Sequence, residues 1–181
     1  MPEPNEVSVY TFGHSTRDID DFISILKEHK ISILVDLRTI PKSRFNPQFG
    51  KEALEKSLER EKIKYLHFKG LGGLRKPKKD SINTGWRNES FRGYADYMQT
   101  EEFEKNLSSL IELINQANKK KGNVALMCAE AVPWRCHRSL VSDALTIRGF
   151  SVKHILNAKS ARPHKITSFA KVMGTKITYE S

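Results

Sequence analysis

The sequence has few cysteines, no long apolar run and a shortage of acidic residues, and each lack excludes a class of protein. Two cysteines in 181 residues are too few for a secreted fold held by several disulfides, and they indicate reduced thiols in the cytoplasm. No apolar run approaches the roughly 20 residues of a membrane span, so no membrane association is expected. The first six residues are polar, so no secretory signal is predicted.

What is present indicates a folded, basic domain. A hydrophobic fraction of 38% is too high for a disordered chain and suits one domain with a real core. The net charge of +10 is concentrated in two places. Segment 69–92 holds seven basic residues against two acidic ones, and segment 157–181 holds five against one. This charge indicates an anionic partner such as DNA, RNA or a phosphorylated substrate, although it also serves solubility.

Strand-like and helix-like patterns alternate along the chain. The patterns predict strands at 7–12, 31–37, 63–68, 122–128 and 152–156, and helices at 18–30, 51–61, 91–121 with a break near Thr100, and 136–148. The alternation predicts a three-layer α/β domain, Rossmann-like or flavodoxin-like, with a mainly parallel sheet of about five strands. This single domain is assigned to residues 1–156, with a long basic loop at about 69–92, and 157–181 form a basic C-terminal extension.

Polar residues of unusual type follow the predicted strands. Ligands of open parallel sheets bind at the carboxyl ends of the strands, so these side chains are expected to share one site. The candidate catalytic residues are Asp36, Glu130, Cys128 and His14, and a carboxylate among them is the expected general base. The candidate substrate-binding residues are Ser15, Arg17, Arg38, Ser43, Arg44, Arg135, His137 and Arg138. The alternative for Asp36 is a structural ion pair with Arg38 or Arg44.

The segment from Cys128 to Ser139 runs from a strand end into a helix start, where backbone N–H groups and the helix dipole favour an anion. A cysteine in such a place is expected to have a lowered pKa. The segment resembles the phosphate loops of cysteine phosphatases and rhodaneses. However, six residues separate Cys128 from Arg135, one more than in those loops, and they are bulky. Phosphatase-type nucleophilic catalysis is therefore not the favoured interpretation.

Metal binding is an alternative for the same segment. Cys128, Cys136 and His137 carry donor atoms, and His14 is a fourth candidate. Structural zinc sites pair their ligands about two to four residues apart, and this segment lacks such a pair. No cofactor is assigned, and a divalent metal at these residues stays open. Cys128 as a small buried residue that merely ends a strand also stays open.

The loop at 69–92 interleaves cations with aromatic side chains. Cations attract the phosphate backbone, and aromatic faces stack on bases. The residues expected to contact nucleic acid are Arg75, Lys76, Lys78, Lys79, Trp86, Arg87 and Arg92. Phe91 is instead expected in a helix core.

Four motifs in order along the chain resemble the domain of unknown function 488 family. They are Gly13–Arg17, Val35–Arg38 with Pro41, Ser43 and Arg44, Leu71–Gly73, and Cys128–Glu130 with Pro133 and Cys136–Arg138. The resemblance covers about residues 7–156. It implies a compact α/β domain whose strand-end residues form one site, and it supplies no reaction.

Together these features favour a cytoplasmic, enzyme-like domain that acts on an anionic substrate. A nucleotide or nucleic acid is the expected substrate, and hydrolysis or removal of a base is the expected reaction. Two alternatives stay open, a non-catalytic nucleic-acid-binding module and a metal-dependent hydrolase.

Overall fold

The computed structural model describes residues 6–181. Its helices and strands in chain order are β1 (Ser8–Gly13), α1 (Ile19–Glu28), β2 (Ile31–Asp36), α2 (Lys51–Arg60), β3 (Lys64–His67), α3 (Glu89–Tyr97), α4 (Glu101–Lys119), β4 (Asn123–Cys128), α5 (Arg138–Thr146), β5 (Ser151–Asn157), β6 (Ser160–Pro163), β7 (Lys171–Met173) and β8 (Lys176–Thr178). Most of the polar N-terminal segment, residues 1–5, lies outside the described residues. No helix among residues 6–181 is long and apolar enough to cross a membrane.

Six strands form the main sheet in the order β3-β2-β4-β1-β5-β6. Strands β1 to β5 are parallel, and β6 runs antiparallel to β5. The predicted three-layer α/β fold with a mainly parallel sheet is confirmed. The predicted domain boundary after residue 156 falls inside this sheet, because β5 continues to Asn157 and β6 pairs with it.

Alternate residues of the central strands face opposite helix layers. On β4, Ala125 and Met127 belong to a core with α1 and α2. Val124 and Leu126 belong to a second core with α3, α4 and α5. Because successive strand residues point to opposite faces, a strand covered on both sides is apolar throughout. This explains why the segment 124–128 reads as a continuous apolar run.

The predicted break near Thr100 separates α3 from α4. The Thr100 hydroxyl accepts a hydrogen bond of 3.2 Å from the backbone N–H of Phe103, which caps the start of α4. A threonine oxygen at this position satisfies an N–H group that has no partner within the helix. The break is therefore a local consequence of the sequence.

The C-terminal segment packs into the domain rather than extending from it. Strands β7 and β8 form a hairpin, and Ile177 and Tyr179 are buried in the core beside α3, α4 and α5. The Tyr179 hydroxyl donates a hydrogen bond of 2.8 Å to Asp143 of α5. Its backbone N–H donates one of 2.9 Å to the side chain of Asn83 in the long loop. The tail thus links the loop to the core.

Candidate functional site

The carboxyl ends of β1 and β4 are joined by backbone hydrogen bonds beyond the strands themselves. The N–H of His14 donates to the carbonyl of Cys128 at 3.0 Å, and the N–H of Ser15 donates to that of Ala129 at 2.9 Å. These bonds continue the parallel pairing past the last strand residues. Motifs that are more than a hundred residues apart in the sequence therefore meet at one edge of the sheet.

Gly13 permits the closest approach at this edge. A Cβ atom on Gly13 would lie 1.7 Å from the carbonyl oxygen of Glu130 and 2.7 Å from a guanidinium nitrogen of Arg138. Both distances are far inside van der Waals contact. Only glycine, which has no side chain, lets the loop after β4 and the Arg138 side chain pack here.

Asp36 is fully buried, and its carboxylate holds Arg38. One carboxylate oxygen accepts hydrogen bonds from the Arg38 Nε at 2.9 Å and backbone N at 3.0 Å, and the other accepts from Nη2 at 2.7 Å. The Tyr65 hydroxyl donates to the second oxygen at 2.5 Å. The structure therefore gives Asp36 the ion pair with Arg38 that the sequence left as an alternative, and it leaves little room for Asp36 to activate water.

The pKa values around this pair follow from burial and charge. Burial lowers the pKa of Arg38, but the hydrogen bonds and negative charge of Asp36 outweigh that effect and raise it overall. Burial and the neighbouring Asp36 both raise the pKa of Tyr65. Arg38 is therefore a permanent cation and Tyr65 a permanent donor at neutral pH.

His14 is buried and supports Arg38. Its ring stacks on Phe49 at 4.3 Å, Nδ1 donates to the carbonyl of Ser15 at 2.8 Å, and Nε2 accepts from Arg38 Nη1 at 3.5 Å. Burial lowers the pKa of His14, which favours the neutral ring that this arrangement requires. His14, proposed as catalytic from the sequence, thus orients a guanidinium instead of facing a cavity.

The arginine beside Cys128 is Arg138 and not Arg135. Arg138 is fully buried, and its Nη1 donates to the Cys128 sulfur at 2.8 Å and to the carbonyl of Glu130 at 2.7 Å. Its Nη2 donates to the carbonyl of Ala131 at 3.1 Å. Arg138, which was predicted to bind substrate, therefore directs these hydrogen bonds to the protein itself, where it favours the thiolate form of Cys128 and shapes the loop after β4.

Cys128 and Cys136 are both buried free thiols. Burial disfavours a thiolate at Cys128, but the hydrogen bond from Cys136 and the positive charge of Arg138 outweigh burial and lower the pKa of Cys128. The same hydrogen bond, together with burial, raises the pKa of Cys136 well above its usual value. When the pair carries one negative charge, that charge therefore lies on Cys128.

His137 anchors the start of α5 to β2. Its Nε2 donates to the carbonyl of Leu37 at 3.1 Å, and its Nδ1 lies 3.6 Å from the Cys136 sulfur. Burial lowers the pKa of His137 to about 4, so the ring is neutral at physiological pH. Gly73 packs against it, since a Cβ there would approach Nδ1 to 3.0 Å. This contact brings the Leu71–Gly73 motif to the same site.

A cavity of about 320 Å³, the thiol cavity, opens over Cys128 at the carboxyl edge of the sheet. Its charged lining residues are Arg38, Lys42 and Arg135, with Glu130 as their acidic neighbour. Exposed apolar side chains, Ile40 and Leu74, also line it. The cavity therefore combines a surplus of positive charge, the exposed carboxylate of Glu130 and the thiol of Cys128.

A family model described as "Domain of unknown function DUF488" matches residues 18–145. The chain belongs to the DUF488 family. The matched residues contain Asp36, Arg38 and the whole stretch from Cys128 to Arg138, while the segment Gly13–Arg17 lies just before them. No curated protein and no solved structure matches the chain.

Two predicted substrate-binding residues of this DUF488 domain lie away from the thiol cavity. Arg17 pairs with Asp21 at 3.2 Å and donates to the carbonyl of Leu156 at 3.3 Å. Ser15, whose φ of 50° turns the chain sharply after β1, contributes its backbone N–H to the strand-end contact with Ala129. Both residues organise the edge of the sheet, and neither lines the cavity.

Lys42 takes the place that was predicted for Ser43 and Arg44. The Ser43 hydroxyl accepts a hydrogen bond of 3.1 Å from the N–H of Asn46, and the Arg44 guanidinium lies over the ring of Phe45 at 5.7 Å. Lys42 lines the cavity instead. The loop after β2 has no periodicity, so the sequence could not show which of its polar residues faces inward. The run of polar residues Lys42, Ser43 and Arg44 indicated only that this loop contributes to the site.

The donors proposed for a metal are engaged elsewhere. The Cys128 sulfur accepts from the Arg138 cation, and the His137 Nε2 donates to a backbone carbonyl. Across residues 6–181, no group of three or more histidine, cysteine, aspartate and glutamate side chains is arranged to hold a metal ion. These residues therefore do not fit a metal centre.

Trp86, expected to stack on bases, packs largely into the domain. Its ring meets those of Phe91 at 5.0 Å, Phe169 at 4.9 Å and Tyr179 at 5.6 Å. This packing could not be predicted from local sequence patterns, because two of the three partner rings, Phe169 and Tyr179, come from the distant C-terminal segment. Trp86 still borders a cavity that is also lined by Trp134 and by residues 162–168.

The basic residues of the long loop divide into two groups. Arg75 lies over the Tyr97 ring at 3.7 Å and donates to the carbonyl of Gly72 at 3.2 Å, so it holds the loop against α3. Arg92 is half-buried. Of the basic residues predicted to contact nucleic acid, those with exposed side chains are Lys76, Lys78, Lys79 and Arg87.

Proposed function

We propose that this DUF488 chain is an enzyme that hydrolyses an anionic substrate, a nucleotide or nucleic acid, in the thiol cavity. The observation that carries the proposal is the hydrogen bond from Arg138 to Cys128, which favours a thiolate on the wall of a cavity that is otherwise cationic. Thiolates, and not thiols, are the reactive nucleophiles. Guanidinium and ammonium groups bind phosphate oxygens through charge-assisted hydrogen bonds.

The lining residues supply the parts of a two-step hydrolysis. The thiolate sulfur of Cys128 bonds to the electrophilic centre of the substrate as the leaving group departs with the electron pair of its bond and takes a proton from solvent. Arg38 and Arg135 offset the negative charge of the substrate and of the transition state. The exposed Glu130 carboxylate then takes a proton from a water molecule, whose oxygen displaces the sulfur and regenerates the thiolate.

Asp36, Tyr65 and His14 have supporting roles in this proposal. They fix the Arg38 guanidinium through the hydrogen bonds to the Asp36 carboxylate and the contact with the His14 ring. An arginine held in this way does not have to be ordered when the substrate binds, so less binding free energy is lost. The residues that would contact the substrate are thus separate from those that position them.

The test is turnover of labelled nucleotides and oligonucleotides by purified variants. We expect Cys128→Ser to abolish hydrolysis and Glu130→Gln to stop after the first step, leaving a covalent adduct on Cys128 that mass spectrometry detects. Glu55→Gln on the exposed face of α2 is the matched control and should hydrolyse at the normal rate. Normal turnover by both Cys128→Ser and Glu130→Gln would contradict the proposal.

A second candidate function is non-catalytic binding of nucleic acid. It is favoured by the exposed side chains of Lys76, Lys78, Lys79 and Arg87, which take part in none of the ion pairs found among residues 6–181. Binding through such cations weakens steeply as salt rises, because counterions are released from the phosphates. Steep salt dependence without turnover of any labelled substrate would support this function over hydrolysis.

A further inference from the structure

A second cavity of about 500 Å³, the tail cavity, lies next to the thiol cavity. One short helical turn lies between the two. Trp134 of that turn lines the tail cavity, whereas the next residue, Arg135, lines the thiol cavity. The far wall comes from residues 162–168 of the C-terminal segment. The turn is therefore a wall between the two cavities, and its exposed residues Trp134 and Arg135 face one cavity each.

The walls of the tail cavity suit a flat aromatic group. Trp134 is 63% exposed, and Trp86, Pro133 and Ile166 complete the apolar lining. A large aromatic side chain left this exposed beside a concave, mostly apolar surface is typical of a binding site. Stacking of a base on a tryptophan face is favourable for every base, because each base has a π face.

The charge at the rim suits an anion. Arg162 and Lys165 line the tail cavity and are exposed, and they enter none of the ion pairs among the described residues. No aspartate or glutamate of the described chain lines this cavity. An apolar aromatic wall beside unpaired cations is complementary to an aromatic ring that carries a phosphate.

The cavity histidines do not change this balance. His164 donates to the buried Asp143 carboxylate at 2.7 Å, so this side chain is already engaged within the protein. Burial, followed by the positive charges of His164 and Arg138, lowers the pKa of His154 to about 3, so His154 is neutral. The anion-binding groups of the tail cavity are therefore Arg162 and Lys165.

We propose that the tail cavity binds one base and its phosphate of a single-stranded nucleic acid whose neighbouring nucleotide occupies the thiol cavity. The identity of that neighbouring nucleotide rests on the proposed function. A duplex keeps its bases stacked inside, and sequence-tolerant stacking on aromatic side chains is a property of single strands. The substrate class is thereby narrowed from nucleotides in general to single strands of DNA or RNA.

The experiment is a tryptophan-fluorescence titration of the Cys128→Ser protein, so that binding is measured without turnover. The probes are single-stranded DNA and RNA of about eight nucleotides, within the range of known single-strand site sizes, the duplex of the same sequence, and a mononucleotide. The added variants are Trp134→Leu and the double substitution Arg162→Ser with Lys165→Ser. The matched controls are Phe45→Leu, an aromatic side chain that is 86% exposed and lines neither cavity, and Lys159→Ser in the same tail.

We expect the single strand to quench the emission of Trp134 and to bind roughly tenfold more weakly to Trp134→Leu, the effect of losing one base stack. The double cation variant should also weaken single-strand binding and reduce its salt dependence. A mononucleotide, which occupies only one of the two cavities, should bind the parent protein more weakly than the single strand does. Single-strand binding by the two control variants should be unchanged.

Several results would overturn the inference. They are single-strand binding by Trp134→Leu that equals that of the parent protein, duplex binding as tight as single-strand binding, or an equal loss in Phe45→Leu. Because none of these measurements requires turnover, failure of the proposed hydrolysis leaves the outcome readable. Conversely, turnover of mononucleotides without any binding of single strands would overturn this inference and leave the proposed function standing.

Discussion

The guanidinium of Arg138 donates a hydrogen bond of 2.8 Å to the sulfur of Cys128. The two residues lie at opposite ends of the loop between β4 and α5, and the contact closes that loop over Gly13. A buried permanent cation beside a thiol favours its ionised form. The contact therefore links the packing of the loop to the chemistry of the thiol cavity.

Removal of the Cys136 thiol should raise the pKa of Cys128, because a hydrogen bond from Cys136 favours the Cys128 thiolate. The thiolate absorbance of Cys136→Ala, measured against pH, should appear at higher pH than in Cys136→Ser, whose hydroxyl keeps a donor. Both variants retain Cys128 as their only cysteine, because the chain has two, so the signal is unambiguous. Identical titrations in the two variants would show that the hydrogen bond has no effect.

Asp36→Asn should destabilise the protein by about 3–5 kcal/mol, because it leaves the Arg38 cation buried without a counter-charge. The matched control is Asp21→Asn, which removes the exposed partner of Arg17 and should cost less than about 1 kcal/mol. Urea denaturation of the two variants measures both values. Equal stability of the two variants would contradict the structural role assigned to Asp36.

Gly13→Ala should destabilise the fold by about 1–3 kcal/mol, since a methyl group forced into a packed site shifts its neighbours. The atom that it meets is backbone, the carbonyl oxygen of Glu130, so the loop after β4 must move. Gly50→Ala is the control, because its Cβ would approach nothing closer than 3.3 Å. Thermal unfolding compares them, and a Gly13→Ala protein as stable as Gly50→Ala would rule out the tight contact.

Acid should destabilise the protein mainly through His137 and His154, the two histidines whose pKa values are lowered furthest. Burial lowers the pKa of His137 to about 4 and that of His154 to about 3, whereas an unfolded histidine has a pKa near 6.5. Between these values and about pH 6.5, the two histidines therefore bind protons in the unfolded chain but not in the folded chain. Stability is complete above about pH 6.5 and falls progressively from there toward about pH 3.

The measurement is the urea midpoint at about pH 7.5 and about pH 5.5, over which each histidine should contribute a loss of roughly 1 kcal/mol. His154→Gln should show a smaller loss than the parent protein, because one of the two groups no longer titrates. A parent protein that is equally stable at both pH values would contradict the assignment.

Tyr179→Ala should cost about 3–5 kcal/mol, the usual loss for a buried aromatic side chain. Tyr179 is fully buried and hydrogen-bonded to Asp143, so the tail contributes to the stability of the whole domain. Met173→Ala, at a side chain that is 80% exposed, should change stability by less than about 0.5 kcal/mol. Similar unfolding midpoints for both variants would mean that the tail is an appendage.

The fold class could be predicted from the sequence because its signals are local. The apolar run at 124–128 marks a strand covered on both faces, and the Thr100 hydroxyl marks a helix start. Alternation of such elements restricts the chain to a parallel α/β sheet, and the parallel arrangement places the residues after each strand at one edge. The placement of Cys128 at the candidate site therefore followed from the sequence.

The partners of each side chain at that edge were decided by the tertiary structure. The sequence offered Arg135 and Arg138 alike as cations of this segment, and the first turn of α5 carries Arg138 to the sulfur. A nonperiodic loop gave no sign that Lys42 rather than Arg44 lines the cavity. These outcomes depend on side-chain direction and on contacts between distant segments, which local patterns do not contain.

The net charge was a property of the sequence, and its arrangement was a property of the fold. The segment 157–181 is basic by composition alone, which suggested an extension that binds polyanions. Packing of Ile177 and Tyr179 into the core instead makes it a wall of the domain, and this places Arg162 and Lys165 beside Trp134. Composition sets how much charge the chain carries, whereas burial of the apolar residues between the charges determines where that charge faces.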